Sequence, residues 1–501
     1  MKKAVLYLHP EFTVGEISPF MYGGFLENIG RCIYGGIYDP EHPSADEDGF
    51  RSDVLDAVQG MNYTAMRFPG GNAVSCYRWE DSVGPKEQRP VRLNVAFHSL
   101  ENHHFGLDEY MRWCRKINAA PMLTINLASR GIDDAKNLVE YCNFPQGTQW
   151  SDWRRVHGVE EPYNVPIWFL GNELSGRWQM PGREAADYGY IARECGKMIR
   201  AISPESEIAV CGPCGRFEIG APEDWLYKVL CKAYNVTDYL SIHCYLRNRI
   251  TAEAFSSELE ETDEYLNNVI AGCDYAMART WNNRKLKISV DEWGVWRGMG
   301  LELRNGANWA FDDPKIEDDY TASDAVLAGG LLITLLRHAD RVKLSCISEA
   351  VNSIAPIRTG SNGKVWKQTT YYPFALTALH GHGTVLQDKL YSDDFISSDN
   401  RTLSAWYGVS ICNREKNELI IIGLNRLMQE DLLLQADLSA FKVESVIEHQ
   451  ALFAEDPETV NSENAEKVYP VLCEHAVQKG QIWEFTLAPC SWNMIRFKLS
   501  E

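Results

Sequence analysis

The chain lacks any excess of positive charge. Its 49 lysines and arginines stand against 69 aspartates and glutamates, a formal net charge of −20. That leaves no basic field for a phosphate backbone or an anionic lipid surface, so neither nucleic acid nor membrane is an expected partner. A long apolar run is also missing. The opening MKKAVLYLHPEF carries two lysines, but Ala4 to Leu8 is only five apolar residues before His9, Pro10 and Glu11. It reads as neither a signal peptide nor a transmembrane helix, and it predicts a cytoplasmic protein. Metal-site spacing is missing as well. Cys211 and Cys214 form a CxxC with no second pair to complete a zinc site, and Pro213 and the preceding strand favour a structural role. The 14 cysteines read as reduced thiols, many of them small apolar core residues. His103 and His104 have no carboxylate and histidine partners at ligand spacing, so no metal is expected. No internal repeat, low-complexity tract or long linker appears, so the expected domains are packed rather than tethered.

What is present, in 501 residues with 45% apolar content, is enough for one large domain and one smaller one. From Phe20 onward the pattern is strand, loop, helix, repeated. The strand candidates are Phe20 to Leu26, Tyr63 to Phe68, Pro121 to Asn126, Pro166 to Leu170, Glu207 to Cys211, Tyr239 to Cys244, Leu286 to Val290 and Val342 to Ile347. Amphipathic stretches lie between them, such as Glu184 to Ala201 and Thr321 to Ala339. Short, nearly all-apolar strands alternating with helices predict a parallel sheet closed as a (β/α)8 TIM barrel over residues 20–375. A doubly wound open sheet would more often carry a glycine-rich phosphate loop after its first strand; here Gly24 is followed by Phe25, Leu26 and Glu27. Past residue 375 the helical signal stops. Runs such as LSAWYGVSIC, ELIIIGLN and IWEFTLAP predict a smaller all-β, jelly-roll-like antiparallel sandwich over 376–501, joined by strands from residues 1–19.

In such a barrel the C-terminal ends of the strands converge on one face. The polar residues there are Glu27, Arg67 with Asn72, Asn126, Asn172 with Glu173, His243 with Tyr245, Asp291 with Glu292, and Glu349 with Asn352. Two strand-end glutamates, Glu173 in PIWFLGNELSGRW and Glu292 in LKISVDEWGVW, match the demand of glycoside cleavage: one acid protonates the leaving oxygen while a second carboxylate attacks the anomeric carbon. Glu173 fits the proton donor. Glu292 fits the nucleophile, since Tyr245 or an arginine could hold it ionised and aimed. Asn172 could cap a following helix or donate to the sugar 2-hydroxyl. Arg67 brackets a Pro-Gly-Gly turn with Asn72 and is placed to orient a carboxylate. Among Trp79, Trp178, Trp293 and Trp296, at least one is expected to form a sugar-stacking wall.

The segments GGFLENIGRCIYGGIYDP, MRFPGGNAVSCYRWEDSVGP, ENHHFGLDEYMRWC, LVEYCNFPQGT, FLGNELSGRWQM, YLSIHCY and ISVDEWGVW resemble the glycoside hydrolase family 51 α-L-arabinofuranosidases across most of the chain. The resemblance implies a retaining exo-glycosidase that releases terminal arabinofuranosyl groups from small oligosaccharides without a cofactor. It also implies a homo-oligomer, commonly a hexamer. Glu173 would be the acid/base and Glu292 the nucleophile, while Glu27, Arg67, Asn72, Asn172, His243 and Tyr245 would line the subsite of the cleaved sugar, and Glu349 falls at a position that touches substrate; Trp178 and Trp296 join this set as the stacking candidates read from the residues themselves. Departures from the family pattern fall at Asn28, Ala73, Cys76, Ser82, Phe97, Ser175, Arg177, Gly294 and Glu349. At Glu349 a glutamate replaces the usual glutamine, which exchanges an N–H donor for an expected negative charge. These departures keep open another sugar, such as a galactofuranoside or a xyloside. A carbohydrate-binding protein without catalysis is the remaining alternative, and it has no need of both glutamates.

Overall fold

A computed structural model describes residues 1–214, 222–246, 257–297, 309–311, 313–360, 363–473 and 476–500. Eight strands close into a barrel in which every neighbouring pair is parallel. In chain order they are Phe20–Phe25, Ala65–Phe68, Ala120–Ile125, Ile167–Leu170, Glu207–Cys211, Tyr239–Leu246, Lys287–Val295 and Val342–Ile347. Each is an apolar run because a barrel strand is covered on both faces. Phe25, Ala65, Met122, Ile167, Phe169, Ala209, Tyr239, Leu344 and Cys346 fill the interior, so the barrel is packed and its chemistry is confined to one rim. At the seam between the eighth and first strands the backbones crowd together. A Cβ on Gly23 would lie 2.5 Å from the Ser345 carbonyl oxygen.

The sixth and seventh strands run past their apolar cores to Leu246 and Val295, further than their hydrophobic pattern predicts. Their register shifts between Ile242 and His243, which sets His243 beside Glu292 and Tyr245 beside Gly294. A bulge of this kind re-aims side chains at a barrel rim. It also keeps the polar ends of both strands hydrogen bonded.

The second unit is a sandwich of a five-stranded and a seven-stranded sheet. Lys2–Tyr7 lies within the first and Thr13–Glu16 at the edge of the second. The sandwich departs from the expected antiparallel pattern at one place, where Lys2–Tyr7 pairs parallel to Leu432–Asp437. A strand from the far end of the chain needs no hairpin, so either direction is open to it. Ala4, Leu6, Leu434, Ile421, Phe485 and Phe497 pack between the sheets.

The barrel meets the sandwich through the helix Ala322–Arg337, whose first fifteen residues are all buried. Gly329 lets Trp492 approach, since a Cβ would sit 2.4 Å from its Cδ1. Thr334 and Tyr407 share a hydrogen bond of 2.7 Å across the joint. The helical signal outlasts residue 375, because a further helix, Tyr371–His380, packs Phe374 against Trp293 beneath the barrel rim. No helix among the described residues is long and apolar enough to cross a membrane.

Candidate active site

Arg67 is the centre of the barrel mouth. It is the penultimate residue of the second strand, is fully buried, and its guanidinium lies 5.0 Å from the rings of both Phe25 and Phe169. Those rings hold the fork flat while its three nitrogens reach three partners. Nε faces Asp291 Oδ2 at 3.1 Å, Nη1 donates to Glu292 Oε1 at 2.9 Å, and Nη2 donates to Asn172 Oδ1 at 2.6 Å. One cation thus fixes groups from the fourth and seventh strands at once, which a lysine, with its compact ammonium, could not do.

The fourth strand delivers Asn172 and Glu173 through a sharp turn. Gly171 has φ of 92°, and a Cβ there would meet Leu174 at 2.6 Å. Glu173 itself takes the left-handed conformation at φ 48°, a strained choice for a side-chain-bearing residue. The Gly176 amide donates to the Glu173 carbonyl at 2.7 Å and closes the turn. The next helix begins only at Ala185, with Glu184 at its cap, so Asn172 is not a helix cap. Its amide nitrogen instead faces Asn72 Oδ1 at 3.4 Å.

His243 links the two glutamates. Its Nδ1 lies 2.8 Å from Glu173 Oε1 and 3.3 Å from Glu292 Oε2, and its Nε2 is 3.6 Å from Asp291. Burial alone would lower its pKa, but the charge of Glu292 and the hydrogen bonds to Asp291 and Glu173 outweigh it and push the imidazole up to about 10. At neutral pH both ring nitrogens therefore donate. Tyr245 completes the hold on Glu292 by donating to Oε2 at 3.1 Å. Burial raises the Glu292 carboxyl above the usual range, with His243 and Arg67 pulling it down and Glu173 pushing it up. Asp291 runs the other way. Burial would raise it, yet Arg67 and His243 hold it below the ordinary aspartate value.

Glu173, His243 and Glu292 each offer one ligand atom within 4.8 Å of the others, a cluster invisible to sequence spacing because it comes from three strands. An imidazolium presents protons rather than a lone pair, so this donor set suits proton transfer better than a metal ion. The same geometry places a Glu173 oxygen within 4.8 Å of a Glu292 oxygen. Carboxyl groups about 5 to 5.5 Å apart belong to retaining glycosidases, and a separation of about 6.5 to 9.5 Å to inverting ones.

The remaining candidates divide. Glu27 is buried against the glycine turn, where Gly71 has no room for a Cβ, and its Oε1 accepts from the Ala73 amide at 2.7 Å. Burial, then the charge of Glu292, raises its carboxyl well above the usual range. Trp178 is 45% exposed, and its Nε1 donates to Glu173 Oε2 at 2.6 Å. Trp296 packs edge-on against Tyr245 at 5.5 Å. Trp79 and Trp293 are core residues, the first within a cluster of Tyr141, Trp150 and Trp153, the second against Phe374. Asn126 stays out of the site and braces the loops that carry Ser75, Tyr77 and Ala128. Asn352 likewise ties Thr359 to Arg31.

Glu349 sits among acidic neighbours that oppose the negative charge expected there. Burial first, then Glu27 and Glu292, push its carboxyl well above the usual range, which favours the protonated form. A neutral acid keeps one O–H donor, much as an amide keeps its N–H. One brace escaped the sequence reading, Gln179, whose amide donates to Asn72 Oδ1 and accepts from Ser75 Oγ; Asp291, among the strand-end candidates, proves to be the second carboxylate on Arg67.

A barrel rim bearing two close glutamates, held by an arginine, an imidazolium and a tyrosine, defines a retaining glycoside hydrolase. Residues 57–265 match the model of the α-L-arabinofuranosidase 1 domain, and 291–491 that of the α-L-arabinofuranosidase C-terminal domain. An intracellular exo-α-(1→5)-L-arabinofuranosidase of Acetivibrio thermocellus is 40% identical over 501 residues, 99% of each chain. One from Bacillus subtilis is 38% identical over 503 residues, again 99% of each. A family 51 α-L-arabinofuranosidase structure from Bifidobacterium longum superposes with a TM-score of 0.94 at 33% identity, covering 99% of this chain and 100% of that one. The chain belongs to the α-L-arabinofuranosidase family, glycoside hydrolase family 51.

Proposed function

We propose that the chain is an exo-acting α-L-arabinofuranosidase that works in the cytoplasm on arabinose-bearing oligosaccharides, with Glu173 as acid/base and Glu292 as nucleophile. The observation that carries this reading is the pair of carboxylates within 4.8 Å. Glu292 lies on Arg67 and Tyr245, which aim its oxygens and favour its ionised form. In the first step a proton passes from Glu173 to the glycosidic oxygen while Glu292 bonds to the anomeric carbon, and the bond to the leaving sugar breaks. In the second, Glu173 takes a proton from water, the water oxygen attacks the same carbon, and Glu292 departs with net retention. Asn172, its oxygen held by Arg67 and one amide proton directed at Asn72, has its second N–H for the 2-hydroxyl of the sugar, a bond that strengthens in the transition state. The relatives named exo-α-(1→5)-L-arabinofuranosidases support the sugar and the intracellular setting.

One observation favours a second sugar. Gly294 follows Glu292 by two residues on the same strand, and among the described residues a Cβ there would meet the Ser348 carbonyl oxygen alone, at 3.6 Å. That room would accept a bulkier furanoside. A panel of aryl furanosides and pyranosides with anomeric analysis tests both readings. Turnover of the arabinofuranoside with retention is expected, and turnover of only another glycoside would overturn the sugar. Glu292→Ala is expected to abolish turnover, while Glu173→Ala spares activated aryl substrates that need little protonation. A homo-oligomer, hexameric by resemblance, remains part of the proposal and is measured by sedimentation.

A further inference from the structure

Trp178 stands where a sugar platform was expected, half exposed at the mouth, yet its polar edge is turned inward. The indole Nε1 lies 2.6 Å from Glu173 Oε2, while His243 occupies Oε1 at 2.8 Å. Both oxygens of one carboxylate are therefore held, from opposite sides, by an imidazolium and an indole. The local backbone is built for this contact. Gly176 leaves no space for a side chain because a Cβ would lie 2.6 Å from Trp178 Cε2, so the ring rests on the turn that closes onto Glu173. The next residue, Gln179, is buried and bonded to Asn72 and Ser75, which anchors the indole from the far side.

We infer that Trp178 is a positioning residue for acid catalysis, whose N–H strengthens its bond to Glu173 as the proton leaves Oε2 and negative charge appears there. This rests on Glu173 being the acid/base. His243 shares its Nδ1 between Glu173 and Glu292, so Oε1 faces into the site, and Oε2 is the oxygen left to carry the proton. A hydroxyl oxygen can still accept the indole N–H through a lone pair while its own proton points at the glycosidic oxygen. When the proton transfers, a neutral hydrogen bond becomes charge-assisted, which is shorter and about twice as strong. The gain exists only along the reaction coordinate, so it lowers the barrier rather than merely tightening substrate binding. In the second step the relation reverses. Glu173 starts as the carboxylate and must take a proton from water, so the same N–H opposes that step. The indole therefore favours formation of the glycosyl-enzyme over its hydrolysis.

The test is Trp178→Phe, which keeps an aromatic ring and removes the N–H, read against Trp178→Ala and Glu173→Ala on aryl arabinofuranosides of graded leaving-group acidity. For Trp178→Phe, kcat/KM on poor leaving groups is expected to fall about tenfold or more, the scale of one hydrogen bond to a charged group. On dinitrophenyl arabinofuranoside kcat/KM should stay within about twofold, since protonation contributes little there. With that substrate kcat, limited by hydrolysis of the intermediate, should hold or rise. Equal loss across all leaving groups, or a fall in kcat on the dinitrophenyl substrate, would overturn the inference, because both are marks of a merely displaced loop. Wild-type behaviour of Trp178→Phe with loss only in Trp178→Ala would also overturn it and make the indole a sugar platform. Glu173→Ala separates the two levels. If that variant shows no leaving-group dependence, the acid/base reading itself fails; if it shows the dependence and Trp178→Phe does not, only the role of Trp178 fails.

Discussion

Replacing Arg67 with methionine removes the cation while roughly keeping the stem that packs between Phe25 and Phe169. Three contacts vanish, to Asp291 at 3.1 Å, Glu292 at 2.9 Å and Asn172 at 2.6 Å, and two buried carboxylates lose their shared counter-ion. Summing three charged hydrogen bonds would overstate the loss, because the contacts act as one unit. Breaking a buried ion pair by removing one partner costs about 3–5 kcal/mol. The cost should depend on pH, and the sign follows from Asp291. Its folded carboxyl lies below the ordinary value, so in the wild type its contribution is present above about pH 3.9, the unfolded aspartate value, and fades only as pH falls through the lower folded one. Without Arg67, burial is opposed chiefly by His243 and both carboxyls ionise less readily, so the deficit should grow as pH rises. Thermal and denaturant unfolding of Arg67→Met at pH 5 and pH 8 checks this, with the larger deficit expected at pH 8. Arg67→Lys should recover part of the stability but little activity, since one ammonium cannot serve three partners. A deficit below about 1 kcal/mol at both pH values would refute the reasoning, being no more than an exposed pair is worth.

Glu349→Gln is expected to keep kcat/KM within about threefold at pH 7, since burial and the acidic neighbours favour the protonated carboxyl, and a protonated acid and an amide both offer a donor. A carboxyl raised on folding costs stability as pH climbs above its unfolded value of about 4.3, so the variant should melt higher than the wild type at pH 8 and equally at pH 4; equal melting at pH 8 would show an ionised Glu349. For His243 the sign is opposite. With its folded pKa pushed up to about 10, its contribution is complete below about pH 6.5 and is lost as pH rises through about 10. Activity and melting temperature should therefore fall together in that range, and His243→Asn should lose that transition. Gly176→Ala drives a methyl to 2.6 Å from the Trp178 ring and should reduce kcat/KM on poor leaving groups with little change in melting temperature, since both residues lie on the rim loop. A matching fall on activated substrates would contradict that expectation.

The barrel was legible because its strands are apolar on both faces and short. Observed bounds depart from the predicted ones mainly where the site ends of strands extend the pairing, as at Tyr245 to Leu246 and Asp291 to Val295. Two helices went unread for different reasons. In Gln149–Val156 two tryptophans are the main apolar content among arginines and polar residues, and Tyr371–His380 is apolar all round, so neither shows a clean stripe. Glu173 and Glu292 were readable from strand ends, whereas Gln179 was not, being one polar residue in an irregular loop. The surroundings of Glu349 were not legible because sequence gives the residue type and not its neighbours. Only the fold reveals that Glu27 and Glu292 surround it.

The parallel pairing of Lys2–Tyr7 with Leu432–Asp437 imposes an order of events on synthesis. Lys2 lies beside Leu432 and Ala4 opposite Ser392, so the strand sits inside its sheet, flanked on both sides by partners made much later. At about 5–20 residues per second, a ribosome reaches residue 432 roughly 20 to 90 s after residue 2. Meanwhile the apolar side chains of Ala4, Leu6 and Leu8 have no sandwich to enter, although the barrel strands beside them are already emerging. A segment made long before both of its partners is thus among the last to find its place. Substitutions there should tell on the yield of folded chains in a growing cell far more than on the turnover of the molecules that mature.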